Sequence, residues 1–210
     1  APWNCVCPPL SNCEWSTELT CVEAAAEYIK GWFACKLLSR EWGLGADDGF
    51  IFNMSVGYNL EGIKSEKVDT FIESLKDASN TAAWDECRTW TLAHLDRFRN
   101  VDEAFVESIT PHVSTSMTIS TMHGCPAEQS EAIAAYLIVE KGLDTCVKVN
   151  PTLSGYDVVR DRLNTLGYDA MSLSRESFDN DLQWDDAKVM LKNLARIAEE
   201  HGRRFGVKIC

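Results

Sequence analysis

Hydrophobic positions along the chain follow two periods, one typical of helices and one typical of strands. Across residues 16–41 apolar residues recur every three or four positions, which predicts a helix capped by Ser16 or Thr17. Its predicted buried face consists of Leu19, Val22, Ala26, Ile29, Phe33 and Leu37. Residues 50–56 are rich in strand formers, and residues 116–121 alternate strictly between polar and apolar side chains. Both segments are therefore predicted to be strands.

The same succession of helices and strands continues to the end of the chain. Further helices are predicted at 65–78, 82–99, 126–142, 155–166 and 185–200. Further strands are predicted at 145–150, 170–173 and 205–209. Strands that alternate with helices of this length favour βαβ units on a parallel sheet, the α/β class. Periodicity alone leaves open whether the sheet is doubly wound or closes as a (β/α) barrel.

Charge and composition narrow the possible functions. The chain has 210 residues and a net charge of −12, whereas proteins that bind nucleic acid need clustered Lys and Arg against the phosphates. No apolar run approaches the roughly 20 residues that a membrane-spanning helix requires, and no signal-peptide pattern is seen. We therefore expect a cytoplasmic protein that binds neither nucleic acid nor a membrane.

The cysteines are numerous, and four of the nine fall at positions 5, 7, 13 and 21. The spacing of Cys5, Cys7, Cys13 and Cys21 is not that of a ferredoxin or a zinc ribbon, and the odd total argues against a disulfide framework. We expect ordinary thiols and no metal. A metal or cluster held by these four residues remains an alternative.

Candidate chemistry lies where the predicted strands end, because parallel α/β folds gather their sites at the carboxyl ends of strands. Cys125 falls just before a predicted helix, whose N-terminal dipole favours a thiolate. The alternative is that Cys125 is a small buried hydrophobe. His123 and Gly124 stand beside it in the same loop.

Lys148 stands inside an apolar strand, 145–150. A buried ammonium must be paired or must face an anionic or electron-rich ligand, unless the side chain points outward from the sheet. The acidic residues between 179 and 186 are predicted to form a solvated face. Neither a nucleotide-binding G-x-G-x-x-G nor a serine-hydrolase G-x-S-x-G motif occurs.

Five segments carry a resemblance to a known family. They are 12–19 (NCEWSTEL), 50–64 (FIFNMSVGYNLEGIK), 120–126 (STMHGCP), 147–156 (VKVNPTLSGY) and 205–208 (FGVK). Together they resemble the barrel domain of the YgfK flavoprotein family, whose members bear the name "putative selenate reductase". That domain is in turn similar to the FMN barrel of dihydropyrimidine and dihydroorotate dehydrogenases. The resemblance covers residues 12–208.

The resemblance implies an oxidoreductase in which hydride passes between FMN and an unsaturated nitrogen heterocycle or a similar acceptor. Cys125 corresponds to the cysteine that donates the proton. Cofactor-binding positions are implied at Lys148, Asn53 and Lys208. Substrate-binding positions are implied at Asn12, Asn59 and His123. The pyrimidine enzymes have Asn where this chain has Met122, so the heterocycle bound is expected to differ.

The resemblance also implies that the barrel is incomplete. We expect an irregular segment at 1–11, followed at 12–210 by part of a TIM (β/α)8 barrel that is truncated at both ends. Four or five strands cannot close a barrel of eight, so two open sheet edges should be covered in an oligomer or complex. Iron–sulfur or other electron-donor domains of the same or another chain are the expected partners. The rival hypothesis is a barrel remnant that binds no flavin and serves in assembly.

Overall fold

A computed structural model of the chain describes residues 19–45, 49–120 and 125–209. The helices are α1 Cys21–Trp42, α2 Leu60–Ile63, α3 Glu66–Lys76, α4 Ala82–Ala93, α5 Glu103–Ser108, α6 Ala127–Val139, α7 Tyr156–Thr165, α8 Arg175–Asp179 and α9 Trp184–Glu200. The strands are β1 Met54–Val56, β2 Ser116–Ser120, β3 Asp144–Val149 and β4 Phe205–Ile209. Short 3₁₀ turns occur at Leu95–Arg97 and Pro151–Ser154.

The four strands form one sheet in the order β1-β2-β3-β4. β3 and β4 run parallel, and their register pairs Thr145 with Phe205 and continues to Val149 with Ile209. A parallel pair needs a crossover connection, which here includes helix α9. This arrangement confirms the predicted α/β class.

The chain divides into two compact units. The first comprises Ala1–Ser55 and Lys64–Ser116, and the second comprises Val56–Ile63 and Met117–Cys210. Fully buried side chains in the first unit include Tyr28, Ile29, Phe33, Ile72 and Leu75. Those in the second include Met117, Ile119, Ile133, Leu137 and Ile138. Each unit therefore has an apolar core of its own.

Helix α1 begins later than the sequence predicts. Thr20, rather than Ser16 or Thr17, caps it: the Thr20 hydroxyl accepts a hydrogen bond from the Glu23 amide, and the Glu23 carboxylate accepts from the Thr20 amide. The predicted buried face was also wrong at Val22, which is 72% exposed. The core side of α1 instead carries Tyr28 and Trp32, whose rings pack edge-on against Phe52.

The first strand is shorter than the predicted 50–56. The Phe52 carbonyl accepts hydrogen bonds from the hydroxyls of Ser114, at 2.8 Å, and Ser116, at 3.4 Å. The Phe50 ring packs against Trp32. Side-chain contacts therefore hold this segment, and the strand begins only at Met54.

The predicted strand at 170–173 was wrong. Gly167 has a positive φ of 84°, and a turn follows in which the Met171 amide donates to the Tyr168 carbonyl. The Arg160 guanidinium donates to the carbonyls of both Tyr168 and Met171. The carbonyl groups of Tyr168 and Met171 thus accept hydrogen bonds from the Arg160 side chain and not from the backbone of a neighbouring strand.

Two helices also differ from their predictions. The helix predicted at 82–99 ends at Ala93, where His94 Nδ1 lies 2.7 Å from the Trp90 carbonyl oxygen. The helix predicted at 155–166 forms as α7, but it has no buried residue and its Val158, expected to face inward, is 45% exposed. Local periodicity therefore predicted the position of α7 correctly, but the buried face that it predicted for this helix was wrong.

Glu41, near the end of α1, is hydrogen-bonded to a loop of the first unit that is distant in sequence. Its carboxylate accepts hydrogen bonds from the backbone amides of Asn100 and Arg99 at 2.9–3.0 Å, which lowers the pKa of Glu41 below its ordinary 4.5. A lowered folded-state pKa stabilises the fold above about pH 4.5, and the stabilisation is lost as the pH falls through the folded value. Glu41→Gln should therefore lower the melting temperature at pH 7 and have little effect at pH 3.

Thermal unfolding followed by circular dichroism measures this difference. Glu199→Gln, at an exposed position of α9, is the matched control and should change the melting temperature little at either pH. An equal loss of melting temperature at pH 7 and pH 3 in Glu41→Gln would contradict the role of the carboxylate charge.

Candidate active site

Strand β3 has one apolar and one polar face. Val147 and Val149 are buried in the core of the second unit, where α6 contacts β3. Cys146 and Lys148 alternate with them and are half-buried. Because successive side chains of a strand point to opposite faces, Lys148 lies on the face opposite the core.

The polar face continues onto β2. There Thr118 and Ser120 alternate with Met117 and Ile119, which are fully buried. Burial raises the pKa of the Cys146 thiol, while a hydrogen bond with the Thr118 side chain and the nearby charge of Lys208 act to lower it. These interactions show that side chains from β2, β3 and β4 meet on this face.

Two lysines stand side by side at the carboxyl ends of β3 and β4. Lys148 pairs in register with Lys208, so their Cα atoms lie about 4.8 Å apart across the parallel pair. Lys148 is half-buried and Lys208 is exposed. Two ammonium groups on one face repel each other and attract an anionic or electron-rich ligand. The structure therefore brings two of the three predicted cofactor-binding residues together.

Cys125 is half-buried and lies two residues before the start of α6, whose N-cap is Pro126. Its Sγ donates a hydrogen bond to Gln129 Oε1 at 3.4 Å and a longer one to the Pro126 carbonyl at 3.8 Å. The Ser130 hydroxyl donates to the same sulfur at 3.4 Å. The thiol is thus held by polar groups of the first turn of α6, and its catalytic role stays a prediction.

The two predicted asparagines make local hydrogen bonds. Asn53, in the first unit, is buried, and its Nδ2 donates to the adjacent Met54 carbonyl at 2.9 Å. Asn59, in the second unit, accepts from the Gly62 amide at 2.8 Å and so caps α2. Their binding roles stay predictions. Asn12 and His123 lie outside the residues that the structure describes.

Asp181 is a residue that sequence reasoning missed. It was predicted to lie on a solvated face, but it is only 7% exposed. Its carboxylate accepts hydrogen bonds from Thr152 Oγ1 at 2.5 Å, Asn150 Nδ2 at 3.3 Å and the Leu182 amide at 2.9 Å. Asp181 thereby fixes the segment that leaves β3 two residues after Lys148. The available signal was the pair of side-chain donors, Asn150 and Thr152, directly after a strand.

Ser130 was missed as well. It falls on the same helical face as Ile133 and Leu137 and, like them, is buried. A polar residue on an otherwise apolar helix face was a readable signal in the sequence.

The metal alternative stays a prediction. Cys5, Cys7 and Cys13 lie outside the described residues, and Cys21 is a free thiol. Within 19–45, 49–120 and 125–209, no group of three or more His, Cys, Asp or Glu residues is placed to hold a metal ion. None of the helices in these ranges combines the length and apolarity needed to cross a membrane.

The parallel pair β3 and β4, with polar groups at its carboxyl ends, is the arrangement in which parallel α/β folds and TIM barrels carry their sites. A family model described as "Oxidoreductase YgfK, N-terminal TIM-barrel domain" matches residues 9–210. The chain belongs to this family.

Two curated relatives carry the name "Putative oxidoreductase YgfK", one from Escherichia coli strain K12 and one from Escherichia coli O157:H7. Each is 44% identical to this chain over 216 residues, which cover 94% of this chain and 20% of the relative. The chain therefore spans about a fifth of the length of these relatives. No solved structure matches it.

The thiols of the described residues are expected to differ in reactivity. Burial raises the pKa of Cys35, Cys87 and Cys146, so these thiols are protonated near pH 7 and react slowly with iodoacetamide. Cys125, placed at a helix N-terminus with polar partners, should be alkylated before these three. Peptide mapping by mass spectrometry after short exposures measures the order, and earlier labelling of Cys146 than of Cys125 would contradict it.

Proposed function

We propose that this chain is the barrel segment of an FMN-dependent oxidoreductase that acts on an unsaturated nitrogen heterocycle or a similar acceptor. The observation that carries the proposal is the pair Lys148 and Lys208, in register on the polar face at the strand ends. FMN, when bound, supplies a two-electron carrier that exchanges hydride with the acceptor.

The groups present on this face suit such a cofactor. Lys148 and Lys208 offer positive charge, and Thr118 and Ser120 of β2 offer hydroxyl groups. Positive charge beside an electron-rich ring favours its reduced, anionic form. The family to which the chain belongs is named for oxidoreductases, which supports a redox cofactor in general.

In this proposal Lys148 holds and polarises the cofactor, and Lys208 adds charge beside it. Cys125 is the general acid: its S–H bond breaks, the proton goes to the substrate atom that needs it, and the electron pair stays on sulfur as a thiolate. Water returns a proton to the thiolate after each turnover. Asn12, Asn59 and His123 are proposed to contact the substrate, and Asn53 to contact the cofactor.

The proposed partners follow from the length of the relatives and from the free edge of the sheet. The chain spans about a fifth of the length of its relatives. We further propose electron-donor domains, such as iron–sulfur modules of the same or another chain, as the partners that supply the electrons. β4 is the last strand in the sheet order, and its Ile209 is 83% exposed. We propose that this edge is covered in a complex or oligomer.

The same exposed edge favours a second candidate function, a non-catalytic barrel remnant that serves in assembly. Val207 and Ile209 present apolar side chains that another strand or helix could cover without any cofactor. A visible spectrum of the purified protein separates the two candidates, since only the first predicts flavin absorption.

The first prediction of the proposal concerns Lys148. Lys148→Met keeps the length of the side chain and removes the charge, so it should weaken FMN binding by about tenfold or more, the value expected for losing a hydrogen bond to a charged group. Titration of the protein with FMN, followed by quenching of flavin fluorescence, measures the dissociation constant.

Lys192→Met, on the exposed surface of α9, is the matched control and should leave FMN binding unchanged. Equal affinity of the Lys148 variant and the unaltered protein would remove Lys148 from the cofactor site. Failure of the unaltered protein to bind FMN at all would favour the assembly function instead.

The next prediction concerns Cys125. In a protein that contains this chain and turns over substrate, Cys125→Ser should leave reduction of the flavin by the electron donor intact. Substrate reduction should slow by roughly 10²–10⁴-fold, the contribution of a general acid. Stopped-flow absorbance separates the two half-reactions, and Cys35→Ser is the matched control. Unchanged substrate reduction in Cys125→Ser would leave Cys125 without a catalytic role.

A further inference from the structure

A buried hydroxyl faces the sulfur of Cys125. Ser130 is 3% exposed and shares the core face of α6 with Ile133, Ala134 and Leu137. Alanine at this position would suit the helix better, because serine has the lower helix propensity and its hydroxyl must be desolvated. The partner that the structure gives this hydroxyl is the Sγ of Cys125, at 3.4 Å.

The hydrogen bonds around this sulfur differ in what they stabilise. Cys125 Sγ donates to Gln129 Oε1, which requires the proton to be on sulfur. The Ser130 hydroxyl donates to sulfur, and that bond strengthens when the sulfur is negative, because charge-assisted hydrogen bonds are the stronger kind. Gln129 is exposed and water can replace its contact, whereas Ser130 is buried and cannot be replaced in this way.

We propose that Ser130 is a positioning residue that orients Cys125 and stabilises the thiolate left after proton transfer. Within the proposed reaction, the S–H bond breaks, the proton goes to the substrate, and the Ser130 O–H bond stays intact while its hydrogen bond gains strength. Glu128 is the acidic residue in the first turn of α6, and a carboxylate close to a thiolate would oppose its negative charge.

The role of Ser130 in catalysis rests on the proposed function, but the effect of its hydroxyl on the Cys125 sulfur does not. The experiment therefore measures the alkylation rate of Cys125 by iodoacetamide at pH 7 and pH 10, in the unaltered chain, Ser130→Ala and Gln129→Ala. Peptide mapping identifies the Cys125 adduct, and thermal unfolding confirms that each variant is folded.

Ser130→Ala should react about fivefold more slowly at pH 7, where the thiolate is the minor form of an ordinary thiol and the lost hydrogen bond reduces it further. At pH 10, where most thiols are ionised, its rate should come within about twofold of the unaltered chain. Gln129→Ala should stay within about twofold at both pH values, since water replaces the lost contact.

Two results would overturn the proposal. Equal rates for Ser130→Ala and the unaltered chain at pH 7 would show that the hydroxyl does not affect the sulfur. Equal slowing at both pH values would show a change in access rather than in thiolate stability. Neither result depends on flavin. Failure of the FMN hypothesis can therefore be distinguished from failure of the proposal that Ser130 stabilises the Cys125 thiolate.

Discussion

The parallel pairing of β3 with β4, in register, is the constraint on which the candidate site depends. Side chains of a strand alternate between faces, so a shift of one residue would move every side chain of β4 to the other side of the sheet. Burial of Val147 and Val149 fixes β3 against such a slip, at about 1.5–3 kcal/mol for each fully buried side chain. The core thus fixes the side of the sheet on which Lys148 lies, and the register of β4 against β3 places Lys208 on the same polar face.

An ion pair joins the starts of β3 and β4, at the ends opposite to the lysines. Arg204, just before β4, donates from its backbone amide to Asp144 Oδ1 at 2.8 Å and from its side chain to Asp144 Oδ2 at 2.6–2.7 Å. The Thr145 amide donates to the Arg204 carbonyl at 3.0 Å. This bidentate pair aligns the starts of β3 and β4, and the lysines stand at their far ends. Structural and candidate functional groups therefore occupy opposite ends of one strand pair, as is usual in barrels.

The sequence predicted the elements well where local pattern decides and poorly where distant contacts decide. β4 and α9 were predicted to within a residue, because strict alternation and a helical stripe are local signals. The strand at 170–173 was wrong because Arg160 donates to the carbonyl groups of Tyr168 and Met171, eight and eleven residues later. Asp181 was misassigned because its donors, Asn150 and Thr152, lie about thirty residues away.

The candidate site shows the same division. Lys148 could be identified from an ammonium inside an apolar strand, a conflict visible in the sequence itself. The pairing of Lys148 with Lys208 could not be predicted, because the local sequence does not indicate which strands are neighbours or in which register they pair. The sequence marks Ser130 as a polar residue on an apolar helix face, but it does not show that the Ser130 hydroxyl meets the Cys125 sulfur.

Position on the polar face does not by itself make a cysteine reactive. Cys146 lies on that face, is hydrogen-bonded to Thr118 and feels the charge of Lys208, yet burial dominates and raises the pKa of its thiol. Cys125 instead lies in a loop at the start of a helix, with hydroxyl and amide groups directed at its sulfur. Desolvation opposes a thiolate at Cys146 on the strand, whereas at Cys125 the hydrogen bond that the Ser130 hydroxyl donates would strengthen on a negative sulfur. The proposed proton donor is therefore better placed at Cys125, directly before the N-cap of α6, than at Cys146 on β3, although both positions lie in the same unit of the molecule.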